Sequence, residues 1–228
     1  MTEIEYIELR DKVFLLLNKR YMTNGIIKII DDNPNTYLAN VVGSDDSKGL
    51  FNNWFKGIVF KKLNNKDVVN GLVEFNDEDP DEYLKTIIEG NYYRGVFEDW
   101  CRYRVSSVLD SEFKFHDGTV DFDKIYNVNL WTFTQERIGD VSKSFIEEWI
   151  GNIIKKLLDD RYQIVGSLIK IIDHSPSEYI GGIFRGYTIS NFNINWKKLF
   201  GEWCCMKAYN RDYYMDYPSG LVLRTDIF

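Results

Sequence analysis

Histidine and cysteine are scarce in this chain. The only histidines are His116 and His174, and the three cysteines are Cys101 and the adjacent Cys204 and Cys205. So few imidazoles and thiols, so spaced, offer no metal-ligand cluster, and no metal site is expected. An odd cysteine count without framework spacing also gives no obvious disulfide scaffold and suits a reducing compartment. The plain reading is three small, buried, apolar thiols. No segment approaches the ~20 consecutive apolar residues of a membrane span. The opening MTEIEYIELRDK is acidic and lacks the basic and apolar stretches of a secretory signal. These features set the expectation of a cytoplasmic protein that does not engage a membrane.

Proline is scarce as well. Four prolines, with no Gly/Ser-rich or Pro-rich stretch, leave no linker. A single domain over 1–228 is therefore expected. Catalytic signatures are also missing. No glycine-rich loop with a placed lysine precedes a helix. No cysteine is spaced with a histidine as a nucleophile–base pair. Carboxylates are too plentiful for any pair to be singled out for acid–base work. No cofactor is implied. What the chain does have is apolar substance, 44% hydrophobic and 16% aromatic, and a net charge of −7. That content supports a core and argues against disorder. The negative balance disfavours direct nucleic-acid binding and favours a basic partner, although acidity for solubility alone accounts for it too.

A repeat organises the sequence. IIKIIDDNPNTYL (26–38), LVEFNDEDPDEYL (72–84) and LIKIIDHSPSEYI (168–180) share one pattern, and TVDFDKIYNVNLW (119–131) is a degenerate copy. Their apolar anchors, Tyr37, Tyr83, Leu130 and Tyr179, are 46, 47 and 49 residues apart. Seventeen to nineteen residues after each anchor comes Trp54, Trp100, Trp149 or Trp196. A period of this size marks a repeat architecture.

Within each unit the tryptophan segment reads as a helix. Phe51, Phe55, Ile58, Val59 and Leu63 surround Trp54 at steps of three and four, and Trp54, Trp100 and Trp149 each stand nine residues before a leucine. A first helix over roughly 5–20 has no tryptophan. The anchor segment reads as a short helix. Asp79-Pro80 and Ser175-Pro176 each put a cap before a proline at the first helical position, with Glu82 and Glu178 placed for a capping box. Asn33-Pro34 repeats the cap, and Gly43, Gly90, Gly139 and Gly186 follow as stops. The segment between is ambiguous. Val68, Val69, Leu72 and Val73 follow helical steps, yet Asn24-Gly25, Asn70-Gly71 and Asp117-Gly118 are hairpin signals. A helix is expected in three copies, with a small β-hairpin reserved for 112–124, where Phe113 to Phe122 alternates. The alternative is an α+β repeat with Asn-Gly hairpins throughout.

LVEFNDEDPDEYLKTIIEG, with its apolar helix end, acidic Asp-Pro turn and capped apolar helix, resembles a unit of the HEAT/armadillo type. The Asn-Gly pairs depart from that pattern. The resemblance implies a mainly α chain of about four tandem ~47-residue repeats stacked as a short solenoid, with an extended binding surface and no catalytic chemistry. Units would cover about 1–47, 48–93, 94–141 and 142–189, with a cap over 190–228. Tyr209, Tyr213, Tyr214 and Tyr217, then Pro218-Ser219-Gly220, read as a turn and closing strand.

One charge pattern recurs in register. Asp31 and Asp32, then Asp77, Glu78, Asp79, Asp81 and Glu82, then Asp173 and Glu178, precede or open the capped helices. Stacked repeats would align them as an acidic ridge that steers a basic protein. Stabilisation of helix N-termini, worth ~0.3–1 kcal/mol each, accounts for the same residues. The expectation is a non-enzymatic binding protein or inhibitor, such as an immunity protein against a basic nuclease-type toxin or a phage inhibitor of a host nuclease. The alternatives are a scaffold subunit binding through aromatic faces and an enzyme with a site built from unrelated loops. The oligomeric state is not written in these patterns.

Overall fold

Where a helical stripe gives way to a β-branched run and an Asn-Gly pair, the chain turns back on itself as a two-stranded hairpin. The computed structural model describes all residues except 1, 44–48, 74–78, 116, 140, 166–167, 171–175, 184–195, 209–213, 217–221 and 225–228. In order, the elements begin α1 (Glu3–Tyr21), β1 (Met22–Thr23), β2 (Ile26–Lys28), α2 (Pro34–Val42), α3 (Leu50–Asp67), β3 (Val68–Val69), β4 (Leu72–Val73), α4 (Pro80–Ile87) and β5 (Ile88–Glu89). They continue as α5 (Val96–Phe113), α6 (Phe122–Tyr126), α7 (Leu130–Ile138), α8 (Lys143–Arg161), β6 (Gln163–Val165), β7 (Leu168–Lys170), α9 (Pro176–Ile183), α10 (Trp196–Ala208), β8 (Tyr214–Asp216) and β9 (Val222–Arg224). The protein is mainly helical, and none of the described helices is long and apolar enough to cross a membrane.

In the three copies where a third helix is expected, the segment between the long helix and the next short one therefore holds paired strands instead, whereas α6 lies in that place in the degenerate copy. Asn24 and Gly25 sit at φ 50° and 81°, Asn70 and Gly71 at φ 52° and 86°. Two consecutive positive φ values make the turn that matches the twist of a tight hairpin. Residues 22–23 with 26–27, 68–69 with 72–73, and 163–165 with 168–170 form antiparallel pairs. The copy reserved for a hairpin, 112–124, has a single antiparallel bridge, Lys114 with Val120. A unit of long helix, hairpin and short helix also departs from the three-helix unit of the expected resemblance.

Caps follow sequence closely. Thr2 and Glu5 form the capping box of α1. Asn33 accepts from the N–H groups of Asn35 and Thr36 at the start of α2, and Asn129 does the same for Trp131 and Thr132 at α7. Asp79 accepts from the Asp81 N–H at α4, but the box expected there does not close, because the Glu82 carboxylate bonds Lys85 at 2.5 Å instead.

The chain divides into two compact units, Met1–Tyr103 and Arg104–Phe228, with the division inside α5. In the first, α1 packs on α3, and the indole Nε1–H of Trp54 donates to Asn18 Oδ1 at 2.9 Å. Trp100 on α5 makes the same bond to Asn64 on α3, also at 2.9 Å. In the second, Trp149 on α8 donates to Asp110 on α5 at 2.7 Å, and Trp203 on α10 donates to Asp159 on α8 at 2.9 Å. The last is a correction in register. The expected fourth tryptophan was Trp196, but the bond comes from Trp203, seven residues and two turns further along the same helix. Ring contacts agree with that register. Tyr21 touches Tyr37, Phe51 and Trp54, as Tyr162 touches Tyr179, Phe200 and Trp203.

Each acceptor follows a fully buried pair one turn apart: Val13 and Leu17, Val59 and Leu63, Val105 and Leu109, Ile154 and Leu158. The third layer is aromatic at Tyr21, Phe113 and Tyr162 but a carboxylate at Asp67, whose side chain pairs with Lys66 at 3.3 Å. The sheets close the hairpins. β2 pairs in parallel with β5, and β7 pairs in parallel with β8, which pairs antiparallel with β9. A closing strand at the C-terminus is thus present, while Tyr209, Tyr213, Tyr217 and the Pro218 turn lie outside the described residues.

Urea denaturation ranks these contacts. Leu63→Ala, at a fully buried site, is expected to cost about 2–5 kcal/mol. Trp100→Phe, which removes one indole donor, is expected to cost ~1 kcal/mol plus lost packing. Gly25→Ala meets no atom within 4 Å, so only the left-handed backbone resists it, at about 1–2 kcal/mol.

Candidate functional site

The last turn of a long helix carries a cation in three of the four copies, and the following short helix carries a tyrosine. These meet. The Arg20 guanidinium lies 4.1 Å from the Tyr37 ring centre, Lys66 Nζ 4.7 Å from Tyr83, and the Arg161 guanidinium 4.9 Å from Tyr179. Cation–ring contacts of this kind contribute roughly 0.5–1 kcal/mol at exposed sites, and a cation there also suits the helix C-terminus. In the degenerate copy both partners change together. Glu112 stands where the cation would be, Leu130 replaces the tyrosine, and Glu112 pairs with Lys124 at 2.7 Å.

Asp31, the first residue of the expected acidic ridge, belongs to this device. Arg20 donates to its two carboxylate oxygens at 2.7 Å each, and the Tyr21 hydroxyl donates to Oδ2. The Arg20 hydrogen bonds, and then the Tyr21 bond, lower its pKa from the ordinary 3.8 to about 2. Burial first, and then the bond to Asp31, push the Tyr21 phenol above its usual range. Asp31 is committed to the fold and presents little free charge. Asp32 beside it is exposed.

The second group opens α4. Asp79 is the cap, Asp81 is half-buried in the first turn, and Glu82 is exposed and paired with Lys85. Asp77, Glu78 and Asp173 lie outside the described residues, and Glu178 falls in α9 with its side chain outside those described. Among the described members of the set, Asp32, Asp81 and Glu82 are thus the ones without a capping or bidentate commitment.

Sequence reasoning missed a cleft in the second unit, between α5 and α8 and under the 118–122 segment. It encloses about 350 Å³. Its wall is apolar, from Val120, Phe122, Trp149, Ile153 and Leu157, and its polar groups are Ser106, Asp110, Lys114, Thr119, Asn152, Lys156 and Asp160. The residues 117–121 beside it are tied back to the end of α5 by backbone bonds. Phe115 N–H donates to the Thr119 carbonyl at 2.9 Å, and Asp121 N–H to the Phe113 carbonyl at 2.8 Å. Asp117 accepts from the Thr119 N–H and hydroxyl, and these bonds lower its pKa, with Lys156 a smaller influence. Gly118 at φ 80° is the residue that lets the turn form. Asp110 Oδ1 takes both the Trp149 indole at 2.7 Å and Lys114 Nζ at 2.6 Å, so these three groups satisfy one another. Lys156 Nζ reaches across to the Gly118 carbonyl at 3.4 Å.

The repeat register shows why the cleft is there. In the first unit, Phe60 lies four residues before the acceptor Asn64, and Tyr103 three residues after Trp100. Their rings stand 5.4 Å apart, bridging α3 and α5. Beside them lies a more open groove of about 460 Å³, lined largely by the Asn and Lys side chains of α3. In the second unit the same positions are Ser106 and Asn152. Two small polar side chains replace two rings, and the cleft is bounded instead by the apolar side chains of α8 and of the 118–122 segment. That substitution was the available sequence signal, and it is visible only once the tryptophan bonds fix the alignment.

No group of His, Cys, Asp and Glu among the described residues could hold a metal ion. Burial, with smaller contributions from Glu98 and Asp67, pushes the Cys101 thiol up to about 12, so it carries no thiolate at neutral pH. Cys204 is buried too. No family model matches this chain, and neither do any of the curated proteins or solved structures compared with it.

Because folding lowers the Asp31 pKa, its stabilisation is complete above about pH 3.8 and drains away as pH falls toward about 2. Thermal unfolding followed from pH 5 to pH 2 should show a steeper loss in the unsubstituted protein than in Asp31→Asn. Parallel curves would mean that the Arg20–Asp31–Tyr21 cluster contributes nothing to folding.

Proposed function

We propose that this chain is a non-enzymatic binding protein, a short array of about four ~47-residue modules acting in the cytoplasm on a basic protein partner. A nuclease-type toxin held by its immunity protein, or a host nuclease held by a phage inhibitor, has the matching chemistry. The observation that carries this reading is the acidic surplus. The net charge is −7, and Asp32, Asp81 and Glu82 recur at the openings of short helices without being consumed by caps. Charges so placed raise the encounter rate with a basic surface and select against acidic ones. The tryptophan bonds between successive long helices support a repeated module, which suits an extended recognition face.

A second reading has its own observation. On α1, Ile4 and Leu15 are each 71% exposed, and Ile7 is 40% exposed. Steps of three and eleven put them on one face of the helix. A scaffold subunit docking through an apolar face would use such a stripe.

The two readings separate in a captured complex. The triple variant Asp32→Lys, Asp81→Lys, Glu82→Lys leaves the Asp79 cap and the Arg20–Asp31 pair in place. The inhibitor reading expects it to lose at least about tenfold in affinity at low salt, with the unsubstituted complex weakening as salt rises. The scaffold reading expects little change there and a large loss in Leu15→Asp. Salt-independent binding that survives the triple variant sinks the inhibitor reading.

A further inference from the structure

We propose that the α5–α8 cleft binds a small zwitterion with an aromatic or branched apolar body, an α-amino acid of the phenylalanine or leucine type. Its carboxylate would meet Lys156 and its ammonium Asp160, with the apolar body in the space left open by Ser106 and Asn152.

The volume comes first. About 350 Å³ lies within the ~300–1,000 Å³ of small-molecule sites, which are concave, mostly apolar and furnished with a few oriented polar groups. The shape comes next. The equivalent positions in the first unit carry two rings in contact, Phe60 and Tyr103. Tyr103 is 52% exposed, so that pair lies at the surface of its groove; with Ser106 and Asn152 in their place, the apolar side chains of Val120, Phe122, Ile153 and Leu157 are left to line the space for a ligand's side chain.

The charges then choose the headgroup. Of the four ionisable side chains lining the cleft, Asp110 and Lys114 neutralise each other, and Asp110 also holds the Trp149 indole. Lys156 and Asp160 are left. Opposite charges one turn apart on a helix ordinarily pair, yet no ion pair joins these two among the described residues. Lys156 instead makes one long hydrogen bond to the carbonyl of Gly118, another residue of the cleft lining, at 3.4 Å. Asp117, the other carboxylate near that ammonium, already accepts two bonds from Thr119. An anion alone would leave Asp160 facing it, and a cation alone would face Lys156. A ligand carrying both charges on one carbon answers both.

The test is titration of the full-length protein with L-phenylalanine, 3-phenylpropanoate and phenethylamine, read by calorimetry and by the indole N–H resonance of Trp149, assigned with Trp149→Phe. A charge-assisted hydrogen bond is worth about tenfold in affinity. L-phenylalanine is therefore expected to saturate the protein and shift that resonance, with each single-charge analogue at least about tenfold weaker. Lys156→Gln should erase the preference for L-phenylalanine over phenethylamine, and Asp160→Asn the preference over phenylpropanoate. Ser106→Phe with Asn152→Tyr, which copies the ring pair of the first unit, should abolish binding while the helical signal stays. Should that double variant unfold, the two charge variants, on exposed positions of α8, decide alone. No saturable binding of L-phenylalanine or L-leucine, equal affinity for the zwitterion and its halves, or binding that survives the ring-pair variant overturns the proposal.

Discussion

An indole N–H buried between two helices has to find an acceptor, since leaving it unbonded costs ~1–3 kcal/mol. For four tryptophans among the described residues the acceptor lies on the preceding long helix, next to the inner leucine. Trp54, Trp100, Trp149 and Trp203 thereby fix both the spacing and the axial register of successive long helices. Packed leucines alone would tolerate a slip of one turn, because dispersion is not directional. A hydrogen bond from a rigid ring does not tolerate it. The acceptor is an amide in the first unit and a carboxylate in the second, and each carboxylate is accompanied by a lysine, Lys114 at 2.6 Å from Asp110 and Lys207 at 2.5 Å from Asp159. An amide needs no such escort, which explains why the cation is confined to the copies that carry the charge.

The long and short helices could be read from sequence because their signals are local. Asn33-Pro34, Asp79-Pro80 and Asn129 declare helix starts through their own side chains. The leucines nine residues beyond three of the tryptophans declared the buried face, and all three are fully buried. The hairpins were misread because Val68, Val69, Leu72 and Val73 satisfy both periods at once over so short a run. The Asn-Gly pair, with its left-handed backbone, was the stronger of the two signals. Trp196 was misassigned because spacing from the anchor tyrosine cannot register a lengthened connection, and the helix simply offers a second indole two turns later on the same face.

The acidic positions were legible as a pattern but not as free charge. Asp31 looks in sequence like Asp32, yet one is clamped by Arg20 and Tyr21 and the other is exposed. What separates them is the long-range return of the chain from α1 to the approach to α2, which no local rule anticipates. The cleft was illegible for the complementary reason. Its lining comes from α5, α8 and the 118–122 segment together, and Ser106 and Asn152 become conspicuous only against Phe60 and Tyr103 in the aligned copy.

The parallel pairing of β2 with β5 joins the first hairpin to the chain that leaves the second short helix, and Lys28 and Glu89 reinforce it at 2.8 Å. β7 also pairs in parallel with a later strand, β8, but that strand follows the long helix α10 rather than a short one. Severing the first forty-seven residues from the rest would therefore strip the outer border of β2 and bare its unpaired amides, a ready template for promiscuous association. The first period written in the sequence is thus not self-contained: the second supplies the strand that seals its hairpin, while the hairpin of the second, β3 with β4, takes no strand in return among the described residues.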